Sequence, residues 1–255
     1  MKLSAIVITK NAAVKIKDCL ESLKFADETI VVDAGSMDNT IALAGKAGAI
    51  VVEAGEIGFA ASRNIGAKTA KGEWLLYVDA DERITPVLAK IILERINALT
   101  HQRINSFRLY RKNIILGHWL RHGGWWPDPV HRLIKKSALK EWKGELHEYP
   151  VVGGETGSIT EPIVHYSKSS VSEMVQNSRL FASIEAELKF KAGHSPVKIF
   201  HFILAMWREF WARGILKAGW LDGMVGIIEI FYQMFHQFMV YSILWQMQQK
   251  YKTRS

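Results

Sequence analysis

The sequence predicts an α/β protein with a mostly parallel central sheet and a helical C-terminal extension. Three observations carry that prediction. Apolar runs of strand length alternate with helix-length stretches through the first hundred residues. Those runs are rich in Val and Ile, and strand-like runs stop after about Ser170. Continuous β-branched runs mark strands buried on both faces, the signature of a parallel sheet covered by helices.

Taken in order, "SAIVIT" (4–9) is the first strand and 13–24 the first helix. "ETIVVDAG" (28–35) is a second strand, followed by a helix over about 38–47. "AIVVEA" (49–54) is a third strand and "GFAASRNIGAKTA" (58–70) a helix. "EWLLYVDA" (73–80) is a fourth strand, and "TPVLAKIILERINAL" (85–99) opens a helix with Thr85 as cap and Pro86 in its first turn. "NSFRLYRKN" (105–113) alternates like a half-buried strand, and the loop "GHWLRHGGWWPDPVHRL" (117–133) is crowded with Trp, His, Arg and Gly. No internal repeat or flexible linker interrupts the chain. The expected division is a sheet-containing domain over 1–168 and a helical extension over 169–255.

With 255 residues, 49% of them hydrophobic, the chain can build a large core and is not a disordered protein. Its formal net charge of +8 suits anionic partners. No nucleic-acid-binding motif accompanies the basic residues, so nucleic acid is not an expected partner. Cys19 is the single cysteine, which excludes a disulfide framework and a thiolate metal site and suits a reducing cytoplasm. The apolar run after Met1 is short for a signal peptide and reads as a strand.

In open parallel sheets ligands collect at the carboxyl ends of the strands. Thr9, Asp33 and Asp79 all fall at such ends and converge on one expected site. Asp79 and Asp81, at i and i+2 after "WLLYV", point the same way; they either end the strand in a solvated turn or hold a divalent cation, Mg²⁺ or Mn²⁺, and with it a diphosphate. Neither a G-x-G-x-x-G nor a G-x-x-x-x-G-K-[ST] loop occurs in this half, so carboxylate-bound metal is the expected substitute for a phosphate-binding glycine loop. In "VVDAGSMDNT", Gly35 and Ser36 make a tight turn and Asp38 or Asn39 caps the next helix. Asp33 is placed to accept hydrogen bonds from a base or ribose.

"AIVITKN", "IVVDAGSMDNT", "FAASRNIGAKTAKGEWLLYVDADE" and "LHE" together resemble a family 2 glycosyltransferase with the GT-A fold. Within that family the chain is similar to the WaaE/LgtF-like lipopolysaccharide core β-1,4-glucosyltransferases, more loosely through "WWPDPVHRL" and "GWLDGMVG". The resemblance implies an inverting, metal-dependent transferase that moves a hexose, glucose from UDP-glucose, onto the inner-core heptose of a lipid-linked saccharide. It implies base contacts from Thr9 and Asn11, uridine selection by Asp33, a nucleotide-side arginine in Arg63 and a ribose-side acid in Asp79. Asp81 is implied as the direct metal ligand, with His165 as a further candidate and Glu82 as loop support. The general base is implied to lie in "GELHEY", with Glu148 the first choice and Glu145 and Asp128 in reserve; His147 is placed to orient Glu148. Trp125, Trp126 and His131 are candidates for an acceptor-sugar stacking wall, the alternative being a tryptophan-rich lid over the core.

In the C-terminal third, "MVGIIEIFYQMFHQFMVYSILWQM" (224–247) carries a polar stripe at Glu229, Gln233, His236 and Gln237. An amphipathic helix lying on a membrane surface, on the protein's own core or on another subunit fits this pattern better than a spanning one. The expected location is the cytoplasmic face of the inner membrane, with homo-oligomerisation through these helices as the other use. A sugar nucleotidyltransferase is the rival enzyme class, but the Gly-rich basic signature it needs after the first strand is missing from "TKNAAVKIK". A catalytically silent sugar-nucleotide-binding relative is the rival outside enzymes.

Overall fold

The structure is a computed structural model and describes residues 1–98, 103–145 and 148–252. It divides into two units. The first comprises Met1–Lys112 and Asp128–His165, and the second comprises Asn113–Pro127 and the chain from Tyr166 onward. Residues 113–127 cluster with the C-terminal helices, although the strand residues 113–115 and 118–119 remain part of the central sheet.

The first unit opens with β1 (Leu3–Thr9), α1 (Ile16–Glu21), β2 (Glu28–Asp33), α2 (Thr40–Lys46), β3 (Ile50–Glu53), α3 (Phe59–Thr69) and β4 (Trp74–Asp79). It continues with β5 (Glu82–Arg83), α4 (Pro86–Ala98) and β6 (Ile104–Ile115), whose last residues enter the second unit and pair there with β7 (His118–Trp119). Next come β8 (Pro129–Lys135), a 3-10 turn, β9 (Leu139–Lys143), β10 (Tyr149–Val152) and β11 (Glu155–Lys168). The sheet order is β3-β2-β1-β4-β8-β6-β11-β5, while β9 and β10 form a separate antiparallel hairpin. The parallel block is β3-β2-β1-β4; beyond β4, β8 pairs antiparallel with β4 and β6, and β11 antiparallel with β5.

All seven residues of β1 are buried, and successive residues serve opposite faces. Leu3, Ala5 and Val7 meet Ile16, Cys19 and Leu20 of α1 and Leu88 and Ile92 of α4. Ile6 and Ile8 join Ile30, Val32, Leu75 and Tyr77 on the other face. Each fully buried aliphatic side chain stabilises the fold by about 1.5–3 kcal/mol relative to exposure. On that second face Gly66 of α3 sits so close to β1 that an added Cβ would lie 2.3 Å from Ile6 Cγ2. Helix α1 is shorter than the pattern suggested. The Ala12 N–H donates to Thr40 Oγ1 and the Ala13 N–H to Asp38, so contacts from the next loop hold these residues outside the helix.

The second unit holds β7, then α5 (Val171–Lys191), α6 (Ile199–Glu209), a π-helical segment (Phe210–Leu216), a 3-10 turn (Gly219–Asp222) and α7 (Gly223–Lys252). Ser170 caps α5 by accepting the Glu173 N–H. The segment 113–127 is tied in by Asp222, whose Oδ2 accepts the N–H groups of Arg121 and His122, and by the Gly123 N–H donating to the Lys217 carbonyl. Gly219 of "GWLDGMVG" permits this, since a Cβ there would lie 3.2 Å from Gly123 Cα.

The core of this unit centres on Ala182, Ala186, Val197, Val240 and Leu244, with partly buried Phe190, Phe202 and Tyr241 packed on it, and a second cluster joins Ile115, Leu120 and Val225. Much of the remaining burial is polar. Lys168 Nζ reaches Glu229 at 2.9 Å, Gln233 donates to the same Glu229 oxygen, and His236 approaches Ser178 and Glu185. The polar stripe of α7 thus faces inward, against Lys168 and α5, because partners of matching chemistry wait there. Among the described residues no helix is long and apolar enough to cross a membrane.

Candidate active site

Three parallel strands deliver their ends to one place. Thr9 stands in register with Asp33, and Asp79 in register with Ile8 beside it. The Thr9 hydroxyl is buried with no hydrogen-bond partner among the described residues, leaving a polar group that a bound ligand can satisfy. Asp33 is almost fully buried, and its own turn uses its carboxylate: Oδ2 accepts the Gly35 and Ser36 N–H groups at 3.0 and 2.7 Å, and Oδ1 accepts the Ser36 hydroxyl. Gly35, at φ +83°, supplies the left-handed turn this requires. Asn11 lies beside it, its Oδ1 accepting the Met37 N–H while its own N–H donates to Ser36 Oγ. Asp38, rather than Asn39, takes the Thr40 N–H at the start of α2.

At the end of β4 the carboxylates are held by two buried guanidiniums. Arg63 Nη2 donates to Asp79 Oδ1 at 2.9 Å and to Glu148 Oε1 at 2.8 Å, while its Nε also reaches Glu148 at 3.2 Å. Arg132 Nη2 bonds Asp79 Oδ2 and, at 2.6 Å, Glu82 Oε1. Glu82 is fully buried and its other oxygen accepts the Asp79 N–H at 2.9 Å, so it braces the turn after β4. Burial alone would raise the Asp79 pKa, but the Arg132 and Arg63 charges outweigh it and hold the carboxyl well below its usual range. Burial opposes the charge on Arg132 as well, and Asp79 and Glu82 more than restore it.

Arg63 is positioned by aromatic packing and by its neighbour. Its guanidinium lies 4.9 Å from the Trp142 ring centre, and Trp142 packs edge-on against Tyr77. Asn64 exchanges two hydrogen bonds with the Trp142 backbone, at 2.8 and 3.0 Å, which pins β9 to α3. The "SRN" triplet therefore sets both the arginine and the strand that leads toward Glu148.

Asp81 and His165 come together across the β5–β11 pairing, in which His165 stands opposite Glu82; His165 Nε2 lies 3.5 Å from Asp81 Oδ1. An oxygen and an imidazole donor with further positions left for phosphate fit Mg²⁺ or Mn²⁺. Both Asp79 oxygens are engaged by arginines, and among the described residues no three His, Cys, Asp or Glu side chains are grouped to hold a metal. The residues that fit such an ion are thus Asp81 and His165.

The reserve carboxylates stand elsewhere. Glu145 is exposed, and Asp128 bridges strands by accepting from Arg111 Nε at 2.8 Å. His147 lies outside the described residues. His131, on β8 of the first unit, accepts from Arg108 Nε at 2.9 Å, and burial followed by the Arg108 charge lowers its pKa. Trp125 and Trp126 belong to the second unit. There Lys168 and Arg213 lie 4.9 and 5.6 Å from the Trp125 ring centre, and Trp126 packs edge-on against Trp119. Arg132, which bonds Asp79 and Glu82 in this candidate site, is absent from the sequence-based expectations. The available signal was a charged side chain between His131 and Leu133 in "VHRLI", a strand otherwise heading into the core.

The profile of Glycosyl transferase family 2 matches residues 4–150, more than half of the chain. The protein belongs to that family. An uncharacterized glycosyltransferase of Rickettsia bellii is 28% identical over 240 residues, spanning 88% of this chain and 80% of its own. The lipopolysaccharide core biosynthesis glycosyltransferase LpsC of Rhizobium meliloti is 24% identical over 250 residues, spanning 91% of this chain and 90% of its own. In fold, the chain resembles mannosyltransferase PcManGT of Pyrobaculum calidifontis, solved with GDP-Man and Mn²⁺: the TM-score is 0.51 at 14% identity, covering 97% of this chain and 86% of that one. The architecture is that of the GT-A glycosyltransferases.

Proposed function

We propose that this family 2 glycosyltransferase inverts the anomeric centre of a UDP-hexose, with UDP-glucose the first candidate, while transferring the sugar to an inner-core heptose of lipopolysaccharide. The acceptor would be lipid-linked and met at the cytoplasmic face of the inner membrane. The observation that carries this reading is the bridge from Asp79 through Arg63 to Glu148, set beside Asp81 where β1, β2 and β4 end. The relative LpsC, named for lipopolysaccharide core biosynthesis, supports the acceptor class.

In this reading Glu148 takes the proton of the acceptor hydroxyl as that oxygen attacks the anomeric carbon. The bond from that carbon to the diphosphate oxygen breaks on the opposite side, and UDP departs. Arg63 orients the base, and Arg132 and Glu82 hold Asp79 and the turn that presents Asp81. Thr9, Asn11 and Asp33 line the base end of the donor site, with Asp33 reaching the uracil at the expense of a turn hydrogen bond. A divalent ion held by Asp81 and His165 would neutralise charge on the leaving diphosphate.

The test is a panel of nucleotide sugars with Mg²⁺ or Mn²⁺ and a heptose-terminated core acceptor, followed by linkage analysis of the product. Retention of the anomeric configuration, or failure to bind and turn over any UDP-sugar, would sink the reading. Transfer to a different envelope saccharide would keep the donor half and replace the acceptor. Asp81→Ala should abolish metal-dependent donor binding, measured by calorimetry.

A further inference from the structure

The second unit has an apolar core, yet it leaves two further apolar stripes outside it. Along α6 and into the π-helical segment, Ile199, Ile203, Leu204, Trp207 and Trp211 recur at helical spacing and are all exposed, Ile199 at 76% and Ile203 at 64%. Only Ala205 of α6 is fully buried. Along α7 a second stripe, Met224, Ile227, Phe231, Phe235 and Phe238, is likewise exposed, while Glu229 and Gln237 are buried. The two helices pack together through Phe202, whose ring contacts Phe238 and Tyr241. A helix normally turns its apolar stripe to the core, and exposed apolar surface on this scale marks an interaction site.

Charge selects the occupant. The second unit carries twelve Lys and Arg against six Asp and Glu, so most of the chain's formal +8 resides in it. Lys198, Arg208 and Lys217 are exposed at the start of α6, within its stripe and just after the π-helical segment. Joining two copies through this face would bring two like-charged units together, whereas an anionic lipid surface attracts each one. Exposed Trp207, Trp211 and Trp220 suit the boundary between headgroups and acyl chains. As no described helix can cross a bilayer, the fitting geometry is a helix pair lying in the interface.

We propose that the exposed faces of α6 and α7 seat the helical unit in the headgroup layer of an anionic bilayer. This deepens the membrane location given in the proposed function, while its observations are independent of the donor and acceptor assignments. Transfer to a detergent-solubilised acceptor tests those assignments separately from vesicle binding.

The experiment is co-sedimentation of the full chain with phosphatidylcholine vesicles made with or without phosphatidylglycerol. Binding is expected to the phosphatidylglycerol vesicles, weakened by added salt, with the exposed tryptophans quenched by brominated acyl chains. The triple variant Leu204→Ser, Trp207→Ser, Trp211→Ser should bind at least about tenfold more weakly with an unchanged far-UV circular dichroism spectrum. Should that variant misfold, Phe231→Ser on α7 tests the same face and should also weaken binding. No binding to anionic vesicles overturns the proposal, and so does binding that folded variants leave untouched. A dimer seen by light scattering and dissolved by the same substitutions also overturns it, assigning the face to a second copy.

Discussion

In the sheet unit, β1 sends every side chain into the core and charges gather where the strands stop; in the helical unit, α7 turns Glu229 and Gln237 inward and leaves Phe231 and Phe238 outside. Both units bury ion pairs, but in different company. Arg63 and Arg132 are buried against shared carboxylates in a unit with an apolar cluster on each face of its sheet. Lys168 and Glu229 are buried together in a unit whose apolar clusters are smaller than those of the sheet. Burial pushes the Lys168 pKa down, and Glu229 only partly offsets it. The lesson is that burial pattern, more than composition, distinguishes the two units.

The largest effect that tests this contrast is catalytic. Glu148→Gln should lower transfer by about a hundred- to ten-thousand-fold while UDP-sugar affinity, read by calorimetry, stays near that of the parent. Near-normal turnover would remove Glu148 as the base. Next in size, Arg132→Met leaves Glu82 buried and unpaired and should destabilise the fold by about 3–5 kcal/mol in urea titrations. Lys168→Met should cost about 3 kcal/mol, the lower end of that range, because Gln233 still donates to Glu229. If Lys168→Met proves costlier than Arg132→Met, the ranking of the two units is reversed.

Acid sharpens the same comparison more gently. The folded pKa of Asp79 lies below its unfolded value of about 3.9, so the stability from its ion pairs is complete above that value. It is lost as pH falls through the lower, folded value. Circular dichroism from pH 6 downward should therefore show the parent losing stability below about pH 4, with Asp79→Asn flattening that loss. The smallest effect belongs to the exposed face: Phe231→Ser should change unfolding free energy by no more than about 0.5 kcal/mol, whatever it does to lipid binding.

How much of this could be read in advance followed sequence range. The strands β1, β2 and β4 were plain because strands buried on both faces read as unbroken apolar runs. The two-residue strands β5 and β7 carry no such signal. Thr9, Asp33 and Asp79 could be grouped because strand ends in a parallel sheet share an edge. The partnership of Arg63 with Glu148 spans 85 residues and no local pattern encodes it. Arg132 was hidden for the same reason, since its meaning comes from Glu82, 50 residues earlier. The polar stripe of α7 was recognised as a stripe, but its inward direction depends on Lys168, 61 residues away.

One nitrogen of Arg63 serves both Asp79 and Glu148. Changes at these three positions therefore cannot be read as independent lesions. A double-mutant cycle pairing Arg63→Lys with Asp79→Asn or with Glu148→Gln should be strongly non-additive. A defect first noticed in donor affinity would then carry a hidden defect in proton transfer, and sequence changes at one of the three would be tolerated only in step with the others.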